Sequence, residues 1–277
     1  MDKDVRTILT EGGVDYKSIE SIVWSHWHWD HTGDPARFEK STNLIVGPGF
    51  KENFLPAWPT KEDSPLAESY FEGRELLEVE FGEEKIGRFA VKDWFGDGSF
   101  WLLDSPGHAI GHLCGLARVK KGNGAGESDS FIFMGGDACH HGGEFRPSTW
   151  LPLPESISPH PFERGSNKPC PGELFEHLLR DADRAKAFYG IPDLPPEKAV
   201  AHDREQTIET IEKVQETDAN DNVFVVMAHD DCIKEVVDFF PKEANEFREK
   251  GWVAKTRWAF LKDFKEAAED KEYRREQ

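Results

Sequence analysis

Ser25-His26-Trp27-His28-Trp29-Asp30-His31-Thr32-Gly33-Asp34 sets three imidazoles and a carboxylate within six residues, donors of the kind that bind Zn²⁺. The run before it, Ile22-Val23-Trp24, is apolar and β-branched, and Thr-Gly-Asp-Pro follows at once. That pattern predicts a strand ending in a tight loop, where α/β scaffolds build sites. On an extended segment His26 and His28 project to one side, because side chains alternate with period two. Asp30 and His31 then lie in the turn beyond. The spacing suggests two neighbouring metals, one held by His26 and His28 and one by Asp30 and His31. A single histidine is by default a core or surface residue. Three of the chain's eleven within six residues, beside an aspartate, are hard to read that way.

Outward from this stretch the chain offers three more segments of like character. Ser105-Pro106-Gly107-His108-Ala109-Ile110-Gly111-His112 is rich in glycine and histidine. Phe131-Ile132-Phe133-Met134-Gly135-Gly136-Asp137 and Val223-Phe224-Val225-Val226-Met227-Ala228-His229 are apolar strands ending in a donor. With His26, His28, Asp30 and His31 standing as HxHxDH, the sequence resembles the metallo-β-lactamase fold superfamily, from about Val14 to Phe240. The resemblance implies a four-layer αββα fold of the α/β class. It implies two Zn²⁺, or other divalent transition metals, held by His26, His28, His108, Asp30, His31, Asp137 and His229, with Asp137 between the ions. Gly107, Gly135 and Gly136 would allow close backbone approach or positive φ beside the donors. His112 begins a strand-like run and reads as structural support. Trp27 and Trp29 read as packing residues in preference to pocket walls.

Two adjacent metals supply a hydroxide at neutral pH and polarise a carbonyl. The expected reaction is hydrolysis without a covalent intermediate, and the chain holds no Gly-x-Ser-x-Gly elbow and no nucleotide-binding glycine loop. Gly136-Asp137-Ala138-Cys139-His140-His141 is most similar to the N-acyl-homoserine-lactone lactonase branch and its fungal relatives. There a tyrosine three residues past the bridging aspartate hydrogen-bonds the substrate carbonyl, and here that place is His140. His140 is therefore the candidate oxyanion donor, beside Asp137, against the alternative of a solvent-facing loop histidine. The leading expectation is the opening of a small lactone ring. The alternatives are a lactamase or amide hydrolase on a cyclic amide, and a metal-binding protein without catalysis.

The remaining expectations are coarser. A net charge of −19 argues against nucleic-acid binding, which needs a basic footprint, and leaves a small molecule as partner. Cys114, Cys139, Cys170 and Cys232 lack Cys-x-x-Cys spacing and read as free thiols of a reducing, cytoplasmic setting. No run reaches membrane-spanning length, and the first residues are not a signal peptide. Helical spacing predicts helices over 5–9, near 16–21, over 172–189 with Gly190 as stop, over 207–215 and over 231–240. Residues 88–95 and 99–104 pair as a hairpin across Gly96-Asp97-Gly98. The long proline-rich stretch from Gly142 to Pro171 carries Trp150, Leu151, Leu153, Ile157, His160 and Phe162, either covering the substrate or packed on the fold. Residues 1–261 form the expected domain and 262–277 a charged C-terminal helix or tail. Only 25 residues precede His26, fewer than the family's usual N-terminal strands need. A shortened first sheet with an exposed apolar face, and from it a homodimer, is expected.

Overall fold

Two β-sheets packed face to face and covered by helices on their outer sides form the architecture, seen in a computed structural model that describes residues 3–124 and 126–270. The strands are β1 (Ser21–Val23), β2 (Asn43–Val46), β3 (Leu76–Glu78), β4 (Lys85–Ile86), β5 (Phe89–Asp93), β6 (Phe100–Asp104), β7 (Leu113–Lys120), β8 (Ser130–Met134), β9 (Ser156–Ile157), β10 (Cys170–Pro171) and β11 (Val223–Val226). The α-helices are α1 (Val5–Glu11), α2 (Trp29–Thr32), α3 (Phe50–Phe54), α4 (Gly142–Phe145), α5 (Arg204–Asp218), α6 (Trp252–Thr256) and α7 (Lys265–Glu269). The first sheet has the order β1-β2-β3, all parallel. The second is six-stranded and mixed, β11-β8-β7-β6-β5-β4, with β11 and β8 parallel and the rest antiparallel.

Strand alternation assigns the layers. In β2, Leu44 and Val46 face α3 in a cluster with Trp24, Phe50 and Phe54, while Ile45 faces the second sheet. In β6, Leu102 meets Ile45 between the sheets, and its neighbour Leu103 joins Ile211 and Val214 of α5 on the far side. The four layers are thus α3, first sheet, second sheet and α5, the expected αββα arrangement. α5 earns its place by period: Thr207, Thr210, Ile211, Val214 and Asp218 are its buried residues, and the Asp203 side chain caps its N-terminus at Gln206 N. The hairpin of β5 and β6 forms as expected, its turn held by Asp93 accepting from Gly96 and Gly98. Among the described residues before the His26 segment there is one strand, β1, on the edge of a three-stranded sheet, with Val23 half-exposed. No helix among the described residues is long and apolar enough to cross a membrane.

Three helical expectations are corrected. Residues 172–189 form no amphipathic helix: 3-10 turns run over Gly172–Leu178 and Arg180–Ala182, and Asp181 and Ala182 adopt positive φ between them. The backbone there bonds sideways, Leu153 N to Arg184 O, and the Arg180 side chain reaches Ala187 O. Gly190 therefore caps nothing and instead lies against the Arg180 guanidinium. Residues 231–240 hold only a 3-10 turn, Asp231–Ile233, and Phe239 and Phe240 are exposed. Tyr16–Ser18 is likewise a 3-10 turn, and Ser21 already opens β1.

The stretch from Gly142 to Pro171 is packed on the fold. Leu153, Ile157, Cys170 and Phe175 form a core cluster with Phe260 and Leu261, and Leu151 and Phe162 pack against it. Phe264 and Ala268 join the same cluster, while 271–277 of the expected tail lie outside the described residues. All four cysteines are buried and free.

Candidate metal centre

The site forms where strand ends of the two sheets meet. Beyond β1, Trp24 is buried and donates its indole N–H to Thr32 O at 2.8 Å, which folds the HxHxDH segment back on itself. Ser25 O accepts Leu113 N at 2.7 Å and ties this segment to the second sheet. His28 is extended and caps α2, a single turn that carries Asp30 and His31. The buried Arg74 guanidinium holds the chain that follows, donating to Pro35 O and Thr42 O at 2.6 Å each. On the second sheet His108 sits in the loop from β6 to β7. The start of α5 clamps that loop: Asp203 N bonds Gly107 O at 2.9 Å and Thr210 Oγ1 bonds Pro106 O at 2.7 Å. Gly107 has φ +127, and a Cβ there would fall 2.2 Å from Thr207 N, so only glycine fits. Asp137 follows β8 and His229 follows β11, joined by Ala228 N to Gly136 O at 3.0 Å.

All seven donors anticipated from the sequence, and His140, come together. His26, His28, His108 and Asp137 form one set able to hold an ion, and Asp30, His31 and His229 a second. Asp137 Oδ2 lies 3.6 Å from His26 Nε2, 3.5 Å from His108 Nε2, 3.1 Å from His31 Nε2, 3.3 Å from His229 Nε2 and 3.3 Å from His140 Nε2. His28 Nδ1 is 2.9 Å from His26 Nε2 and 3.0 Å from His108 Nε2. Asp137, His140 and His229 make a third set, so His140 lies within ligand reach as well as facing the cleft.

Electrostatics and an orphaned atom both fit a cation at this place. Burial and the neighbouring imidazoles lower the pKa of His26 and bring His108 down to about 3, so both rings are neutral at ordinary pH, as metal ligands must be. Burial opposes charge on Asp137, yet the adjoining His140 and His31 outweigh it and hold its carboxyl well below the usual range. The same pairing raises His140, with burial working against it. Asp137 Oδ1 is buried without a hydrogen-bond partner, a costly state for a polar atom that ligation would relieve. Nitrogen and carboxylate donors in these numbers suit Zn²⁺ and its neighbours.

His112 is the support it was expected to be. Fully buried, it accepts Asp137 N–H at Nε2 (3.0 Å) and lies 3.0 Å from Ser105 O at Nδ1. Trp27 packs, with its ring 4.8 Å from Phe54. Trp29 does not: it is 87 % exposed, because α2 turns it outward between His28 and Asp30. A cleft of about 480 Å³ opens beside the cluster, lined by His108, Asp137 and His140 at one end and by Glu144, Ile191, Pro192 and Val200 further out. None of the residues 150–162 lines it. Glu144 and the 190–201 wall were missed in the sequence, where Glu144 sits in a glycine-rich stretch without a motif.

Fold and donor sets together define a candidate metal centre between two sheets. Scanned against models of known protein families, the chain matches none. It is 45 % identical over 268 residues to gamma-lactamase FDB1 of Fusarium pseudograminearum, covering 94 % of this chain and 62 % of that protein. It is 42 % identical over 266 residues to metallo-hydrolase mfmC of Annulohypoxylon moriforme, covering 94 % of this chain and 67 % of that one. Its fold is similar to a crystal structure of an AiiA variant from B. thuringiensis with N-decanoyl-L-homoserine bound at the active site, with a TM-score of 0.50 at 16 % identity over 86 % of this chain and 66 % of that one. The chain spans about two thirds of the length of each. It belongs to the metallo-β-lactamase superfamily and is similar in sequence to fungal members of it such as the first two of these.

Proposed function

We propose that the chain is a two-metal hydrolase that opens a small ring at its carbonyl, and that the ring is a lactam. The observation that carries the two-metal reading is Asp137, whose Oδ2 is shared at 3.1–3.6 Å by imidazoles of both donor sets. His26, His28 and His108 with Asp137 would hold one ion, and Asp30, His31 and His229 with Asp137 the other. Bound there, Zn²⁺ or a similar ion would supply Lewis acidity and a hydroxide at neutral pH. The chain's own residues do the rest. His140, whose pKa is raised by its pairing with Asp137, would donate a ring N–H to the oxygen that gains charge as the carbonyl is attacked. The apolar cleft wall of Ile191, Pro192 and Val200 would hold the ring and exclude water.

The choice of a lactam over the lactone suggested by the motif rests on the relative named a gamma-lactamase at 45 % identity. The lactone reading keeps its support from the shared fold of the homoserine-lactone enzyme. Both use the same attack and differ in the leaving atom. Parallel turnover on matched lactam and lactone panels, beside elemental analysis, tests them. Two metals per chain with faster lactam opening is expected. Exclusive lactone opening would reverse the substrate, and metal content without any turnover would leave a binding protein.

A further inference from the structure

We infer that Glu144 selects the substrate: its carboxylate accepts the N–H of a ring amide bound in the cleft and turns away rings that carry a negative charge at that place. The inference rests on the ring-opening function proposed above and names the feature of the substrate that this site reads. Outside the donor cluster, Glu144 is the one charged side chain among the described residues that line the cleft, and no lysine or arginine lines it. The facing wall is Ile191, Pro192, Val200 and Ala201. At about 480 Å³ the space suits a small, flat, mostly apolar ring system.

The carboxylate is held in place. Its Oε2 accepts the backbone N–H of His140 at 2.9 Å, and its side chain is 19 % exposed. It rides on α4, whose N-terminus is capped by the His141 side chain at Gly143 N (2.9 Å). The residue after α4, Arg146, is pinned by a buried two-point ion pair with Asp218. A carboxylate has about four lone-pair sites; the His140 amide takes one on Oε2, where the His140 ring also stands 4.0 Å away at Nδ1, and Oε1 is left for the cleft. A half-dry carboxylate facing a neutral ring needs a donor. A lactam N–H provides it, whereas a lactone oxygen or an N-alkyl group leaves the carboxylate short of a partner. A site built to bond a donor rejects the analogue lacking it far more strongly than an apolar pocket rejects a methyl group. A carboxylate on the substrate would meet like charge in a confined space.

The test uses the metal-loaded protein and three rings on one frame: oxindole, its N-methyl derivative, and the benzofuranone in which oxygen replaces nitrogen. Glu144→Gln keeps an oxygen for the His140 amide and removes the charge. Wild type should favour the N–H ring. Glu144→Gln should lower kcat/KM for it by about 10- to 100-fold, the range for losing a hydrogen bond to a charged group. The other two rings should change little, and a carboxylate-bearing oxindole should turn over faster. An unchanged ratio among the three rings overturns the inference while ring opening stands. Should wild type open none of them, the functional reading fails instead, and calorimetric binding of oxindole against its N-methyl derivative, in wild type and Glu144→Gln, still decides the inference. Should the variant not fold, an N–H to N-methyl affinity ratio near one in wild type overturns it.

Discussion

Acidifying the metal-free protein should loosen the site through His112, and the size of the effect follows from its bonding. Its Nε2 accepts the amide of Asp137 at 3.0 Å, so its proton sits on Nδ1, 3.0 Å from Ser105 O. Only the neutral ring serves both partners. Burial and nearby histidines push its pKa from 6.5 down to about 4. Between those values the unfolded chain holds a proton that the folded chain lacks. Stability from His112 is therefore complete above 6.5, falls as pH drops below it, and levels off near 4. At 1.36 kcal/mol per unit the loss is about 3 kcal/mol, a large share of the roughly 5–15 kcal/mol that holds a domain together. Urea unfolding of chelated wild type and His112→Gln from about pH 7.5 to about pH 4.5 isolates the term. At the upper end the variant should be less stable by about 1–3 kcal/mol, for an Asp137 amide left without its acceptor. The gap should narrow steadily towards acid, because the variant lacks the group that must be protonated on unfolding. A gap independent of pH, or an NMR titration of the His112 ring near 6.5, would refute the reasoning.

Asp137→Ala should lose the second ion on elemental analysis and reduce turnover by several powers of ten, since paired cations make the nucleophile. His140→Ala should keep both ions and lose about 10²–10³ in kcat; equal metal loss in the two variants would make His140 a ligand. Asp218→Ala strands the buried Arg146 guanidinium, which it meets through two charge-assisted bonds at 2.7 and 2.5 Å, and should cost about 3–5 kcal/mol by denaturant unfolding. The pair Arg146→Met with Asp218→Leu should recover most of that, and no recovery would show the cost to lie elsewhere. Chelation should lower hydrogen-exchange protection in β1 and β2 more than in β6 to β8; a uniform change would count against metal as a fastening between the sheets.

The donor set was legible because its cues are local. His26, His28, Asp30 and His31 are contiguous, and Asp137 and His229 each close an apolar strand, so reading strand ends was enough. The layers were legible for the same reason: Leu44, Ile45 and Val46 alternate between two buried faces as β2 must. What could not be read was where backbone groups find partners. The apolar residues of 172–189 have helical spacing, but Leu153 and Ala187 take the bonds that a helix would have kept. Leu174, Phe175 and Leu178 are core residues all the same, so the pattern reported burial and not helix. Trp29 failed in the opposite sense. Its neighbours Trp24 and Trp27 pack, and nothing in the sequence marks the one turn of α2 that sends it outward.

Glu144 belongs to neither category, because its meaning is set by a chain that arrives from far away. The cleft exists only where the segment 190–201 and Thr207 of α5 come to lie against the end of β8. Each donor set also mixes the two sheets: His26 and His28 with His108 and Asp137, then Asp30 and His31 with His229. Apart from the Ser25–Leu113 bond, the apolar contact between the sheets centres on a small cluster, Ile45, Val79, Leu102 and Leu113. An ion in either set would thus bridge the two sheets, and its binding energy would count as stability, since the unfolded chain offers no such site. That coupling accounts for the arrangement of supports. Arg74 and His112 each fix a loop next to the centre, the first after the HxHxDH segment and the second at the ends of β6 and β8. They hold the donors convergent where the strands alone would leave them apart, so that an arriving cation meets a site already close to its bound form.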